Sequence, residues 1–426
     1  MNEMNDNAGR EGPVDATAAR WLLSMVVAGA LLWVASRKTF YGDSISSVFL
    51  SVALFSIFLI LLRTRIHWKE LSGVGMGAGL IYWLDVGLLG YKESWPVFFS
   101  CIGIAALGVL ALRTIWSPES ERRTSALTLS AAFLFVASEW CAGYFLMWGE
   151  SARPRTLDLY LYSFDASLGV QPAVVMGQWF ARVPWFAIVS QIVYLSLPVA
   201  MGLTFAGCVR RSRKQAIAAV VAFLITGPIG ACFYTMFPAL GPVHILNASF
   251  PWHALTMEQA KRLALQPIAV PGPRNAIPSL HAAWIFLVFW FAWRLSLAER
   301  IAAGFFVFFT LCATLGTGEH YFVDLVVAAP FGLLILAVTS GLVGKWRREL
   351  WAPLVGGLGM TLAWFGLLRY AAPVFRLTPV IPWAFCLATL GASGYILKTF
   401  DEEPKEALES AAEEQERGLP EAQAGL

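Results

Sequence analysis

Residues 321–344 read YFVDLVVAAPFGLLILAVTSGLVG, a run with a single formal charge, Asp324. As a helix rising 1.5 Å per residue it covers about 36 Å, enough to cross ~30 Å of hydrocarbon. Comparable apolar runs occur at 21–36, 45–62, 71–91, 95–115, 125–148, 184–208, 215–239, 279–298, 301–318, 351–369 and 379–398. Composition agrees, with 58% hydrophobic and 14% charged residues and a mean hydropathy of +0.63. Soluble domains carry about 25% charge. The expected fold class is therefore all-α, a polytopic membrane helix bundle of about 12 transmembrane helices.

Lysines and arginines set the expected orientation, because short cytoplasmic loops hold an excess of them. Arg63, Arg65 and Lys69, then Arg113, Arg122 and Arg123, then Arg294 and Arg300, then Lys345, Arg347 and Arg348 all fall on one side. The strongest marker, Arg210-Arg211-Ser212-Arg213-Lys214, joins them. That side is expected to be the cytoplasm and to hold both termini. The first run lacks a small-residue cleavage site and reads as a retained span, not a signal peptide. From Asp401 the chain becomes acidic and of low hydropathy, a solvated, helix-permissive extension whose composition also suits disorder.

The net charge of +3 is spread over short loops, which argues against a nucleic-acid partner. All six cysteines lie in or beside apolar runs without metal-ligand spacing, and they read as packing residues. Two longer outside loops remain, 149–183 and 240–278, both rich in proline and aromatic residues. Loops of that length commonly carry function.

The topology then brings distant residues together. One span opens with Pro278-Ser279-Leu280-His281, and another with Gly318-Glu319-His320-Tyr321-Phe322-Val323-Asp324. Two crossings separate them, so both starts return to the same membrane face. His320 and Asp324, four apart, share a helix face. A carboxylate inside a span costs ~2.5–3.5 kcal/mol near the bilayer centre and usually has a partner and a function. An imidazole oriented by a carboxylate can attack phosphorus, and a second, protonated imidazole can supply a proton to the leaving alcohol. Ser279, Arg274 and the amides of a helix N-terminus could hold phosphate oxygens. The bland alternative for each histidine is an interfacial polar residue; His244 and His253 are read that way.

Pro278-Ser279-Leu280-His281 and Gly318-x-His320-Tyr321-x-x-Asp324 resemble the second and third signature motifs of the type-2 phosphatidic acid phosphatase superfamily. The wording of 274–282 and 320–325 is similar to its inositolphosphotransferase-like branch, which includes the fungal inositol phosphorylceramide synthases. The resemblance covers about 130–345 and implies a six-helix core. It implies that His320 is the nucleophile, Asp324 its orienting partner and His281 the general acid, with no metal and no cofactor. Two departures stand out. The first phosphatase motif is absent: Arg153-Pro154 is present, but Leu146 stands where its lysine would be. Thr314 stands where the third motif usually has arginine. The phosphate clamp is therefore expected among Arg274, Arg153, Arg155, Lys261 and Arg262. The segment from Leu157-Asp158 to Phe164-Asp165 is similar to an acidic loop of the branch, or equally a solvated amphipathic stretch.

The expected organisation is accessory helices at 1–124, a catalytic core at 125–345, two further spans at 346–400 and an acidic tail at 401–426. The expected activity is that of a lipid phosphatase or phosphotransferase at the extracytoplasmic face, with a membrane lipid as substrate and water or a lipid alcohol as acceptor. The competing readings are a transporter or flippase using the same polar residues as a path, and a metal site built from two histidines and a carboxylate.

Overall fold

The computed structural model describes residues 45–417 except Arg65, Leu89, Tyr91 and Ser117. The expected span at 21–36 lies outside the described residues. The chain divides into two compact units, Met1–Trp140 and Cys141–Leu426.

In the first unit, α1 (Ile45–Arg63), α2 (Trp68–Tyr82, continued by a π-turn over Trp83–Leu88), α3 (Trp95–Trp116) and the first half of α4 (Glu119–Ala152) are described. Leu54, Ile57 and Leu61 of α1 pack with Ala106 and Leu110 of α3 and Leu129 of α4 in an apolar core. Helices of this length and hydropathy need no propensity argument: unpaired backbone groups in hydrocarbon cost several kcal/mol each, and a helix satisfies them within itself.

The second unit begins with the end of α4 and a two-residue strand β1 (Arg155–Thr156). Then come α5 (Asp158–Ser167), α6 (Pro172–Arg182), α7 (Pro184–Leu195), α8 (Leu197–Arg211) and α9 (Arg213–Met236). After α10 (Pro242–Leu246), α11 (Met257–Arg262) and β2 (Ile268–Ala269) follow α12 (Leu280–Ala292), α13 (Leu297–Gly316) and α14 (Phe322–Val343). The unit ends with α15 (Trp351–Tyr370), α16 (Ala372–Phe375) and α17 (Val380–Arg417). The strands pair antiparallel, Arg155 opposite Ala269. Among the described helices eight are long and apolar enough to cross a membrane, and the pair α6–α7, bent by 118°, makes a ninth if taken as one broken span. The protein is an all-α polytopic helical bundle.

The eleven expected spans on described residues all fall on helix, with two differences of form. The run 184–208 is two helices broken at Ser196; Pro184 and Pro198, which lack an N–H donor, sit at the first position of α7 and the second of α8. The run 279–298 stops at Ala292, because Ser296 and Glu299 form a capping box that starts α13 early. The loop 149–183 is largely helical. In α5 every residue but Leu159 is buried, so no polar face marks it as a helix in the sequence. Beyond Asp401 the backbone stays helical to Arg417.

The centre of the second unit is α14, with 83% of its apolar window buried, against 11% for the span that begins at Trp68. An enclosed helix can carry polar groups at its end without facing lipid. The N-terminus of α14 is where His320 and Asp324 stand.

Candidate active site

Two helix starts are joined backbone to backbone. Ser279 caps α12 by accepting from the Ala282 amide at 3.3 Å, and its own amide donates to the Asp324 carbonyl at 3.1 Å. Asp324, the third residue of α14, accepts from the Tyr321 amide at 2.7 Å. A carboxylate in this position satisfies an orphan donor and meets the positive end of the helix dipole. The next amide, Phe322, donates to Asp165 of α5 at 2.9 Å.

Between these starts sits His320, 2% exposed. Its Nδ1 lies 2.9 Å from the Ala276 carbonyl oxygen and 3.5 Å from Asp324 Oδ2. A carbonyl oxygen only accepts, so Nδ1 carries the proton and donates to it. Nε2 of the neutral ring then holds the lone pair, and it accepts from the Ser279 hydroxyl at 3.3 Å. Ala276 is itself fixed, its amide donating to the Ala239 carbonyl at 3.1 Å. The expected orienting role of Asp324 is thus shared. The shorter contact is a backbone carbonyl, and Asp324 adds charge while bracing the helix start. Ser279, His320 and Asp324 are together in one buried cluster.

His281 begins α12 two residues after Ser279 and is half-buried. Tyr194 of α7 stacks on it at 4.1 Å between ring centroids, with the tyrosine hydroxyl 3.2 Å from Nδ1. That contact leaves Nε2 as the ring nitrogen directed elsewhere. Tyr194 carried no sequence signal, since a tyrosine in an apolar run reads as belt or packing.

Behind the cluster, α5 supplies two buried carboxylates. Asp158 accepts from the Leu240 amide at 3.0 Å, the Gly241 amide at 3.1 Å and the Tyr321 hydroxyl at 3.1 Å. Burial raises its pKa, and these donors work against that rise. Asp165 is pushed up to about 8 by burial, with the nearby charge of Asp324 adding to the rise. These residues are a brace, not the solvated face that was one of two readings. Gly241 is required at the brace: a Cβ there would lie 2.4 Å from the Glu319 carbonyl oxygen. Gly318 turns the chain at φ +75° just before the histidine. His244 pairs with Glu319 at 3.4 Å. That hydrogen bond chiefly raises the pKa of His244; for Glu319 burial pushes the pKa up, and the His244 hydrogen bond together with the charges of His244 and His320 brings it below its ordinary value.

The basic candidates do not converge on the histidines. Arg274 is 2% exposed, and its guanidinium donates to the carbonyls of Arg153 (2.9 Å), Pro154 (3.2 Å) and Gly272. The expected phosphate ligand is thus a clip tying the loop before α12 to the chain after α4. Lys261 pairs with Glu258 at 3.3 Å on α11, and Arg262 follows it, exposed. Arg153 and Arg155 line a separate cavity with Arg369, and neither histidine is among its lining residues. Around His320 the groups placed to meet phosphate oxygens are Ser279 and the first turn of α12. Among the described residues no group of three or more His, Cys, Asp or Glu is arranged to hold a metal ion.

No curated protein and no solved structure matches the chain. A family model, described as the PAP2 superfamily, matches residues 159–338, which run from α5 into α14 and contain Ser279, His281, His320 and Asp324. The match covers 180 of the 426 residues and shows this segment to be similar to the PAP2 superfamily.

Proposed function

We propose that the protein is an integral-membrane phosphatase or phosphotransferase acting on a phosphoester of a lipid through a phosphohistidine at His320. The superfamily match supports a phosphatase-type activity. The observation that carries the finer reading is the proton-bearing Nδ1 of His320 held on the Ala276 carbonyl, which leaves Nε2 as a nucleophile.

In the first step the Nε2 lone pair attacks phosphorus and the bond to the leaving alkoxide breaks. Protonated His281 gives its proton to that alkoxide, an effect typically worth ~10²–10⁴-fold. The Ser279 hydroxyl and the α12 amides hold the non-bridging oxygens, aided by the positive end of the helix dipole. In the second step neutral His281 takes a proton from the acceptor, whose oxygen attacks phosphorus while the P–N bond breaks. The lone pair returns to Nε2. Water as acceptor gives free phosphate; a lipid alcohol gives a new phospholipid, the outcome expected of the inositolphosphotransferase-like branch.

The proposed core is 125–345, flanked by accessory helices, and its histidine end faces away from the cytoplasm. The orientation rests on the basic residues of the short loops, above all 210–214. The apolar bundle around the site suits a substrate delivered within the bilayer.

The test is purified protein incubated with ³²P-labelled lipid phosphates, quenched without acid because phosphohistidine is acid-labile. Label retained by the wild type and lost in His320→Ala supports the intermediate. Assaying free phosphate and new phospholipid side by side assigns the acceptor. Turnover undiminished in His320→Ala ends the reading.

A further inference from the structure

The separate cavity beside the histidine end has a composition that calls for an explanation. It measures about 670 Å³ and is lined by Arg153, Arg155 and Arg369, with no aspartate or glutamate among its lining residues. Like charges brought into one concavity near low-dielectric walls repel, and the arrangement is favourable when an anion sits among them. Their donors are also largely unspent. Arg153 uses its Nε on the Thr235 carbonyl at 3.0 Å, and Arg369 lies over the Tyr160 ring at 5.1 Å. Among the described residues the Arg155 guanidinium has no hydrogen-bond partner. Planar guanidiniums match phosphate geometry better than ammonium groups do.

The remaining wall is apolar. Phe365 and Leu362 of α15 and Met236 of α9 form it, with Leu362 and Met236 on the exposed surface of apolar helices. Tyr370, 81% exposed, stands at its rim, where interfacial aromatics belong. A cationic floor beside an apolar flank fits an amphiphile better than a free ion. The position is also fixed within the unit. Arg274 ties Arg153 and Pro154 to the loop that leads into α12, and Leu157 donates to the Pro238 carbonyl at 2.7 Å. The cavity therefore lies at the same end of the bundle as Ser279 and His320.

We propose that this cavity is a binding site for the head group of an anionic phospholipid, distinct from the histidine site, with the phosphate held by Arg153, Arg155 and Arg369 and an acyl chain along α9 and α15. It does not require the chemistry assigned to His320, so each reading can fail alone.

The test is equilibrium binding of a fluorescent phosphatidylglycerol to the purified protein in neutral detergent. The proteins compared are the wild type, the double variant Arg155→Gln/Arg369→Gln, and His320→Ala. The double variant should weaken binding by about tenfold or more, equivalent to about 1.4 kcal/mol. His320→Ala should bind as the wild type does, and a phosphatidylcholine probe should not separate the wild type from the double variant. Among the described residues the Arg155 side chain has no hydrogen bond to lose, so the single Arg155→Gln and the charge-keeping Arg155→Lys/Arg369→Lys pair extend the series, ordered wild type, lysine pair, glutamine pair. Unchanged binding in the glutamine variants overturns the site. Loss of binding in His320→Ala assigns the lipid to the histidine pocket instead and overturns it equally. Displacement by millimolar inorganic phosphate as effective as by unlabelled lipid would make it a free-anion site.

Discussion

The histidine cluster and the arginine cavity lie at one end of the same unit, and on the proposed readings they divide two tasks that a phosphoryl-transfer site usually combines. The cluster holds an imidazole, a carboxylate and a hydroxyl, and among the described residues no guanidinium is a hydrogen-bond partner of His320. The cavity holds three guanidiniums with neither a carboxylate nor a histidine in its lining. Thr314 stands where an arginine of the third motif would put a cation near the histidine. A cation there would help hold phosphate but would disfavour a protonated second imidazole. On the two proposals together, bond-making and charge recognition in this chain are carried by different residues.

The sharpest break of that comparison is His320→Ala. On the division above it removes turnover by about 10⁴-fold or more, since the proposed nucleophile is gone. Binding of anionic lipid stays intact. Parallel measurement of kcat and lipid affinity checks both halves, and equal loss of the two would merge the sites again.

Next is Asp324→Asn. Where a carboxylate alone fixes the tautomer of a catalytic histidine, its loss costs ~10⁴-fold. Here the Ala276 carbonyl already holds Nδ1–H at 2.9 Å, closer than Asp324 at 3.5 Å. The expected loss in kcat is therefore smaller, ~10²-fold. A fall as large as that of His320→Ala would return the whole orienting role to the carboxylate.

Arg274→Ala tests which side of the comparison that residue belongs to. Its guanidinium is spent on three backbone carbonyls, so removal strands buried acceptors at ~1–3 kcal/mol each. The expectation is a lowered melting temperature with kcat/KM of the folded fraction largely retained. A selective rise in KM in a stable protein would make it a substrate ligand after all.

How far the sequence disclosed this arrangement follows from the physics of each part. Apolar runs have to be helical in hydrocarbon, so the spans were legible, including the i, i+4 pairing of His320 with Asp324. The helix breaks at Ser196 and Ser296 were written in prolines and in a capping box, signals weaker than the hydropathy that ran across them. Backbone partners are invisible in a sequence, and so the Ala276 carbonyl was missed. The carbonyl partners of Arg274 were hidden for a related reason: an arginine near a histidine suggests a ligand, while its bonds to carbonyls depend on the path of a loop. Helix α5 was hidden because a helix buried on all sides shows no amphipathic period. Its two aspartates could have been found only by asking why carboxylates stand in so apolar a stretch.

The pair His244–Glu319 offers a milder perturbation, one residue from His320. His244 has its pKa raised above the ordinary 6.5, chiefly by the Glu319 hydrogen bond. A raised folded-state value means that the native protein holds this proton more tightly. The stabilisation is complete below the unfolded value and is lost as pH rises through the folded one. Both side chains are about a quarter exposed, so the pair is worth no more than about 1 kcal/mol. Melting temperature should fall slightly as pH is raised through this window in the wild type, and His244→Asn should flatten that part of the profile.

The smallest effect, and the finest test of the cluster as a neutral, nucleophilic environment, is expected from Asp165→Asn. Burial pushes Asp165 up to about 8, so at neutral pH it is mostly protonated, and asparagine reproduces both its shape and its neutrality. The amide oxygen can still accept from Phe322, so kcat at pH 6.5 should stay within about threefold of the wild type. Asp165→Leu should cost far more, because a buried amide left without an acceptor costs ~1–3 kcal/mol and stands at the first turn of α14. The pH dependence separates the two explanations of any change. The native carboxyl binds its proton over the range from its unfolded value to about 8, so wild-type stability declines as pH rises through that range, and the asparagine variant should lack this decline. If Asp165→Asn instead proves as damaging as Asp165→Leu at every pH, an ionised carboxylate is required beside Asp324. The cluster would then hold two negative charges with no cation bonded to His320, and the separation of charge recognition from chemistry could not stand.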